Sequence, residues 1–147
     1  MLRKFFGLAT LAAAMQTFAL SAAAETFVFT AIPDQDETQL VERFGAVEAY
    51  LEEQLDVDVR YVPVKSYAAA VSAFRNNQVQ LAWFGGLSGV QARRLVPGSE
   101  AIAQGVEDTK FQTYFIANAE SGLEPASELT DELRGKTFTF GSKGSTS

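Results

Sequence analysis

Apolar and polar positions follow two rhythms along this chain, and the rhythms alternate. Thr26 to Ala31 is β-branched and aromatic, is bounded by Pro33-Asp34, and predicts a strand. The period then lengthens. Leu40, Phe44, Val47, Leu51 and Leu55 recur at helical spacing, with Asp36 and Glu37 at the positive amino end of the helix they predict. The unit repeats: Asp58 to Pro63 alternates as a second strand, and Tyr67, Val71 and Phe74 mark a second helix that ends near Asn76-Asn77. Leu81-Ala82-Trp83-Phe84 is wholly apolar, as strands covered on both faces are, and Gly85-Gly86 closes it. Ser88 is then placed to cap a third helix reaching Leu95. Three strand–helix units in succession predict an α/β fold, a mostly parallel sheet with flanking helices and right-handed crossovers.

Beyond Leu95 the pattern loosens. Strands are expected over Ala101 to Val106 and Thr113 to Asn118, on either side of a Glu107-Asp108 turn. Asn118 to Pro125 is polar and turn-rich, a crossover. A short helix is expected from Ser127 with Leu129 and Leu133 on one face, Gly135 in the left-handed position after it, then a strand from Lys136 to Phe140. The change of pattern places a first α/β lobe over residues 25–118 and the beginning of a second over 119–147. A strand that runs into Gly141-Ser142-Lys143-Gly144-Ser145-Thr146-Ser147 ordinarily leads into further structure, so the chain is expected to be C-terminally truncated.

The first 24 residues stand outside the fold. Arg3 and Lys4 precede an apolar run from Phe5 to Leu20, and Ala22 and Ala24 fit small-residue cleavage, so residues 1–24 read as a secretory signal peptide cut after Ala24. The run is short for a membrane span. An exported, soluble product starting at Glu25 is expected.

Composition removes most chemistries. The 147 residues include no His and no Cys, which excludes a Ser-His-Asp triad, a Cys nucleophile, a disulfide and a Cys/His zinc site. A formal charge of -6 opposes nucleic-acid binding, which rests on Lys and Arg against phosphate. It does not oppose a small anion held in a local site.

In an open parallel sheet, ligands gather beyond the carboxyl ends of the strands. Of the loops there, Pro33-Asp34-Gln35-Asp36 offers two carboxylates, too few oxygen ligands for a cation such as Ca²⁺, and reads as a helix start. Trp83-Phe84-Gly85-Gly86-Leu87-Ser88-Gly89 lets backbone amides approach a ligand closely, although its glycine spacing is not a dinucleotide fingerprint, and Trp83 itself reads as core. Ser142, Ser145, Thr146 and Ser147 place hydroxyls and amides where a helix start would bind an anion. Gly135-Lys136-Thr137 lacks the upstream glycine and the following helix of a phosphate-binding loop. Carboxylate catalysis through Asp34, Asp36 or Glu37 would need two acids held across a cleft, and these sit together in a turn. No enzyme activity, cofactor or metal is expected.

Taken together, Ile32-Pro33-Asp34, Val62-Pro63-Val64-Lys65-Ser66-Tyr67, Gln80 to Ser88, and Phe138-Thr139-Phe140-Gly141 running into Ser145-Thr146-Ser147 resemble the periplasmic solute-binding proteins of phosphate, phosphite and phosphonate ABC importers. The resemblance implies a type II binding protein, with a ligand cleft between two α/β lobes and an oxyanion bound where the Ser-Thr-Ser triplet opens a second-lobe helix. It further implies ligand contacts from Tyr67, Phe84, Ser88, Ser145, Thr146 and Ser147. Phe84 stands where phosphonate binders commonly carry Tyr, which removes a hydroxyl donor, and with Gly85-Gly86 it is similar to a selenate-binding branch. The implied partners are a tetrahedral oxyanion and an inner-membrane permease with its ATPase, the receptor acting as a monomer in the periplasm. The alternative is an oxyanion sensor accessory reporting to a histidine kinase.

Overall fold

The structure, a computed structural model, describes residues 25–146; the signal peptide over 1–24 and the ligand contact expected of Ser147 lie outside the described residues. The three strand–helix units form as the periodicity predicts. They are β1 (Phe27–Ala31), α1 (Glu37–Leu55), β2 (Val59–Tyr61), α2 (Tyr67–Arg75), β3 (Leu81–Trp83) and α3 (Gly86–Leu95). The sheet is parallel in the order β2-β1-β3, with Phe27 opposite Val59 on one side of β1 and Phe29 opposite Leu81 on the other.

Successive side chains of β1 turn to opposite faces, and this sorts the core into two layers. Phe29 and Ala31 meet Leu40 and Phe44 of α1, together with Val59. Ile32, just past the strand, meets Tyr67 and Ala70 of α2. The α1 layer is aromatic: the Phe44 ring lies edge-on to Phe29 at 6.1 Å and stacks on Tyr61 at 5.1 Å. On the other face, Thr30 is fully buried and its hydroxyl donates to Val62 O at 2.6 Å, so a polar core residue is satisfied while it ties β1 to the end of β2.

Each helix start has its own physical cause. Asp36 caps α1, its Oδ1 accepting Thr38 N at 2.9 Å, and Ser66 caps α2, its Oγ accepting Ala69 N at 3.1 Å. At α3 the expectation is corrected. The helix begins at Gly86, with Gly85 rather than Ser88 as its cap residue, because Ser88 closes the first turn from within by its side chain instead of preceding it. Ser88 is completely buried in the first turn, and its Oγ reaches back to accept Gly85 N at 3.1 Å.

The second correction concerns residues 101–146. Among the described residues, none of the strands expected over 101–106, 113–118 and 136–140 forms, and the helix expected from Ser127 is reduced to a single 3₁₀ turn, Asp131–Leu133. Gly135 does take the left-handed conformation, at φ 77°. Strand propensity expresses side-chain packing and ladder bonding as much as backbone preference, and these segments pair with no strand. Ile102, Val106, Tyr114, Phe115, Ile116 and Phe140 remain exposed.

Candidate functional site

The carboxyl ends of β1 and β3 bound the switch point of the sheet, the position at which open α/β sheets form their ligand crevice. β1 hands the chain to α1 on one face of the sheet, and β3 hands it to α3, which packs with α2 on the other. Such a reversal between neighbouring strands opens a gap beyond their ends. Its floor is held by Ile32 N donating to Trp83 O at 3.0 Å. Gly85 is closely packed there: a Cβ would come within 3.3 Å of Ile32 Cδ1 and 3.5 Å of Thr146 Oγ1.

The segment 141–146 folds over this edge from the far end of the sequence. Ser145 N donates to Ser142 O at 2.9 Å, closing a turn in which Gly144 has φ 96°. Gly144 lies against the first residue of α2, so closely that a Cβ would sit 2.9 Å from Tyr67 Cβ. One residue later, Thr146 Oγ1 accepts the N–H of Leu87 in the first turn of α3 at 3.3 Å. α3 lacks a side-chain cap of its own, since its cap residue is a glycine, and Thr146 supplies one from a distance.

The structure therefore gathers Tyr67, Thr146 and the Gly85-Gly86 turn, with Ser145 in the same turn as Gly144. Two other expected site residues are occupied locally. Ser88 lies beneath the crevice with its hydroxyl bonded to Gly85. Phe84 packs edge-on against Phe74 at 5.7 Å and borders the cluster of Ile32, Tyr67 and Ala70.

Charge around the crevice is paired or distributed. Lys65 Nζ bonds Glu37 Oε2 and so links the loop after β2 to the start of α1. Asp36 is engaged as the α1 cap, and among the described residues no group of three or more acidic, His or Cys side chains is arranged to hold a metal. Tyr61, on the α1 side, has its phenol pushed above the ordinary value of 10.0 by burial first, then by the charges of Asp34 and Glu37. Hydroxyls, backbone amides and the amino ends of α2 and α3 thus meet at this end of the sheet.

Residues 29–147 match the family of ABC transporter phosphonate periplasmic substrate-binding proteins. The chain belongs to that family. It is 46% identical over 119 residues to the probable ABC transporter phosphite binding protein PhnD1 of Prochlorococcus marinus (strain MIT 9301), covering 80% of this chain and 40% of that relative. The chain thus spans well under half the length of the curated relative. Among solved structures, PhnD1 of the same organism in complex with methylphosphonate superposes with a TM-score of 0.55 at 49% identity, over 56% of this chain and 30% of that one. A binding protein component of an ABC phosphonate transporter from Pseudomonas aeruginosa is 18% identical with a TM-score of 0.46, over 48% of this chain and 24% of its own. The parallel sheet with flanking helices is the α/β architecture expected of such receptors, and the relatives are substrate-binding transport proteins rather than enzymes.

Proposed function

We propose that the chain forms the first lobe, and the start of the second, of a periplasmic receptor that captures a tetrahedral oxyanion of the phosphonate and phosphite class and delivers it to an ABC permease. The reading is carried by one observation: the Ser145-Thr146 segment returns to the crevice between β1 and β3 and docks on the uncapped amino end of α3. A tetrahedral oxyanion requires several converging donors, and hydroxyls, backbone amides and helix amino ends supply them without burying a full opposing charge.

Within this reading Tyr67, Phe84, Ser145, Thr146 and Ser147 border the ligand, and Ser88 holds the glycine turn in shape. The lobes meet near residue 118, and closure about the crossover buries the anion. Export by a cleaved leader places the receptor in the periplasm, as a monomer, with no cofactor and no reaction on the ligand.

Calorimetric titration of the mature receptor with both lobes present, using phosphite, methylphosphonate, phosphate, sulfate and selenate, tests the proposal. Tight binding of phosphite or methylphosphonate is the expected result, and Ser145→Ala or Ser147→Ala should each weaken it by about 1 to 3 kcal/mol, one charge-assisted bond. Binding of selenate alone, or no binding by a folded receptor, would overturn the ligand class.

A further inference from the structure

β2 is an outer strand of the sheet. In a parallel ladder, alternate residues of such a strand turn their N–H groups toward and away from the neighbour. Val62 N donates inward to Phe29 O at 2.8 Å, so at alternate positions Tyr61 and Val59 turn theirs outward. An open row of this kind is a template for another strand.

Here both outward groups are taken by side chains of α1. Val59 N donates to Glu52 Oε1 at 3.3 Å, and Tyr61 N donates to Glu48 Oε2. The two glutamates stand one turn apart on the helix, matching the two-residue spacing of the outward groups on β2. Each carboxylate removes a donor that an incoming strand would use, and sets negative charge where that strand's carbonyl oxygen would lie. The exposed Arg60 between them adds a second obstacle, since two β2 strands pairing antiparallel about this residue would bring two guanidinium groups face to face.

We infer that Glu48 and Glu52 are an edge guard, which prevents β2 from pairing with β2 of a second copy of this chain. The occupant is excluded by chemistry that the fold itself supplies. This inference is independent of the ligand and of the proposed function.

The chain has no cysteine, so Arg60→Cys gives a specific reporter. A central residue of an antiparallel β2 pair lies at a non-hydrogen-bonded position, with Cα atoms about 4.5 Å apart, within disulfide range. Under mild oxidation, Arg60→Cys alone should cross-link slowly. Adding Glu48→Ala and Glu52→Ala should speed cross-linking several-fold, with faster amide exchange at Val59 and Tyr61. Adding Glu48→Gln and Glu52→Gln instead should return the rate toward that of Arg60→Cys alone, because the amide oxygen still accepts. Where the double alanine variant loses its cooperative melt, the single alanine variants carry the same comparison. Unchanged amide exchange, or faster exchange without faster cross-linking, would overturn the guard.

Discussion

Thr146 Oγ1 accepts the backbone N–H of Leu87 across 59 residues of chain, at 3.3 Å. The threonine hydroxyl lies close over the Gly85-Gly86 backbone. A Cβ on Gly86 would stand 3.2 Å from the same oxygen, so a side chain there would crowd Thr146 and shift it by a few tenths of an ångström. The bond joins the last described segment to the third strand–helix unit, and with it the two stretches of sequence that the proposed ligand would touch.

Removing the hydroxyl tests the bond directly. Thr146→Val keeps the shape and loses the acceptor, and should cost about 0.5 to 2 kcal/mol, the worth of a helix cap. Thr146→Ser should restore most of it. Denaturant midpoints, with amide exchange at Leu87, provide the measurement; a valine variant with Leu87 still protected would refute the capping role.

Gly144 controls the approach of the same segment to α2. It has φ 96°, and an added Cβ would meet Tyr67 Cβ at 2.9 Å, so Gly144→Ala combines backbone strain with a clash against a buried residue. A loss of about 1 to 3 kcal/mol is expected, seen as a lower melting temperature and, in the two-lobe receptor, as weaker oxyanion binding by calorimetry.

Tyr61 gives a pH signature. Its hydroxyl is buried without a hydrogen-bond partner, and burial, then Asp34 and Glu37, raise the phenol's pKa in the folded state. The neutral phenol is therefore favoured by folding. Its contribution is complete below the unfolded value near 10.0 and is lost as pH rises through the folded value. Tyr61→Phe should flatten the alkaline fall in melting temperature relative to the parent. Below pH 9 it should be neutral or stabilising, since an unpaired buried hydroxyl costs about 1 to 3 kcal/mol. Parallel alkaline profiles for the two proteins would contradict the assignment.

Phe44 anchors the α1 layer. It is 3% exposed and touches the rings of Phe29, Tyr61 and Trp83. Phe44→Ala should cost about 3 to 5 kcal/mol, whereas Tyr50→Ala, on the exposed side of the same helix, should cost little; urea titration of both variants separates burial from helix propensity.

The three strand–helix units were legible from local pattern because their determinants lie within a few residues of one another. Leu40 and Phe44 recur at helical spacing, Phe29 and Ala31 alternate at strand spacing, and Gly85-Gly86 marks the turn between β3 and α3. α3 starts three residues earlier than a Ser88 cap implies, at Gly86 rather than Gly89, because serine is a common cap and here Ser88 acts instead from inside the first turn. Glu48 and Glu52 each directly follow an apolar position of the helical stripe, Val47 and Leu51, and nothing in that spacing marks them out. Their bonds to Val59 and Tyr61 depend on how α1 returns across the sheet.

Residues 101–140 mark the limit from the other side. Thr113 to Asn118 and Lys136 to Phe140 have the composition of strands, yet without a neighbouring strand they form none, and Phe138 packs its ring against Phe115 and Phe140. Residue type and short-range spacing sufficed for the three strand–helix units, for the chemistries excluded by the missing His and Cys, and for the family resemblance. That Thr146 caps α3, that Gly144 rests on Tyr67, that Ser88 turns inward and that two glutamates close the β2 edge came from the folding of distant segments onto one another. Those contacts join residues far apart along the chain, and the sheet order that sets their distances is written in no single stretch of it.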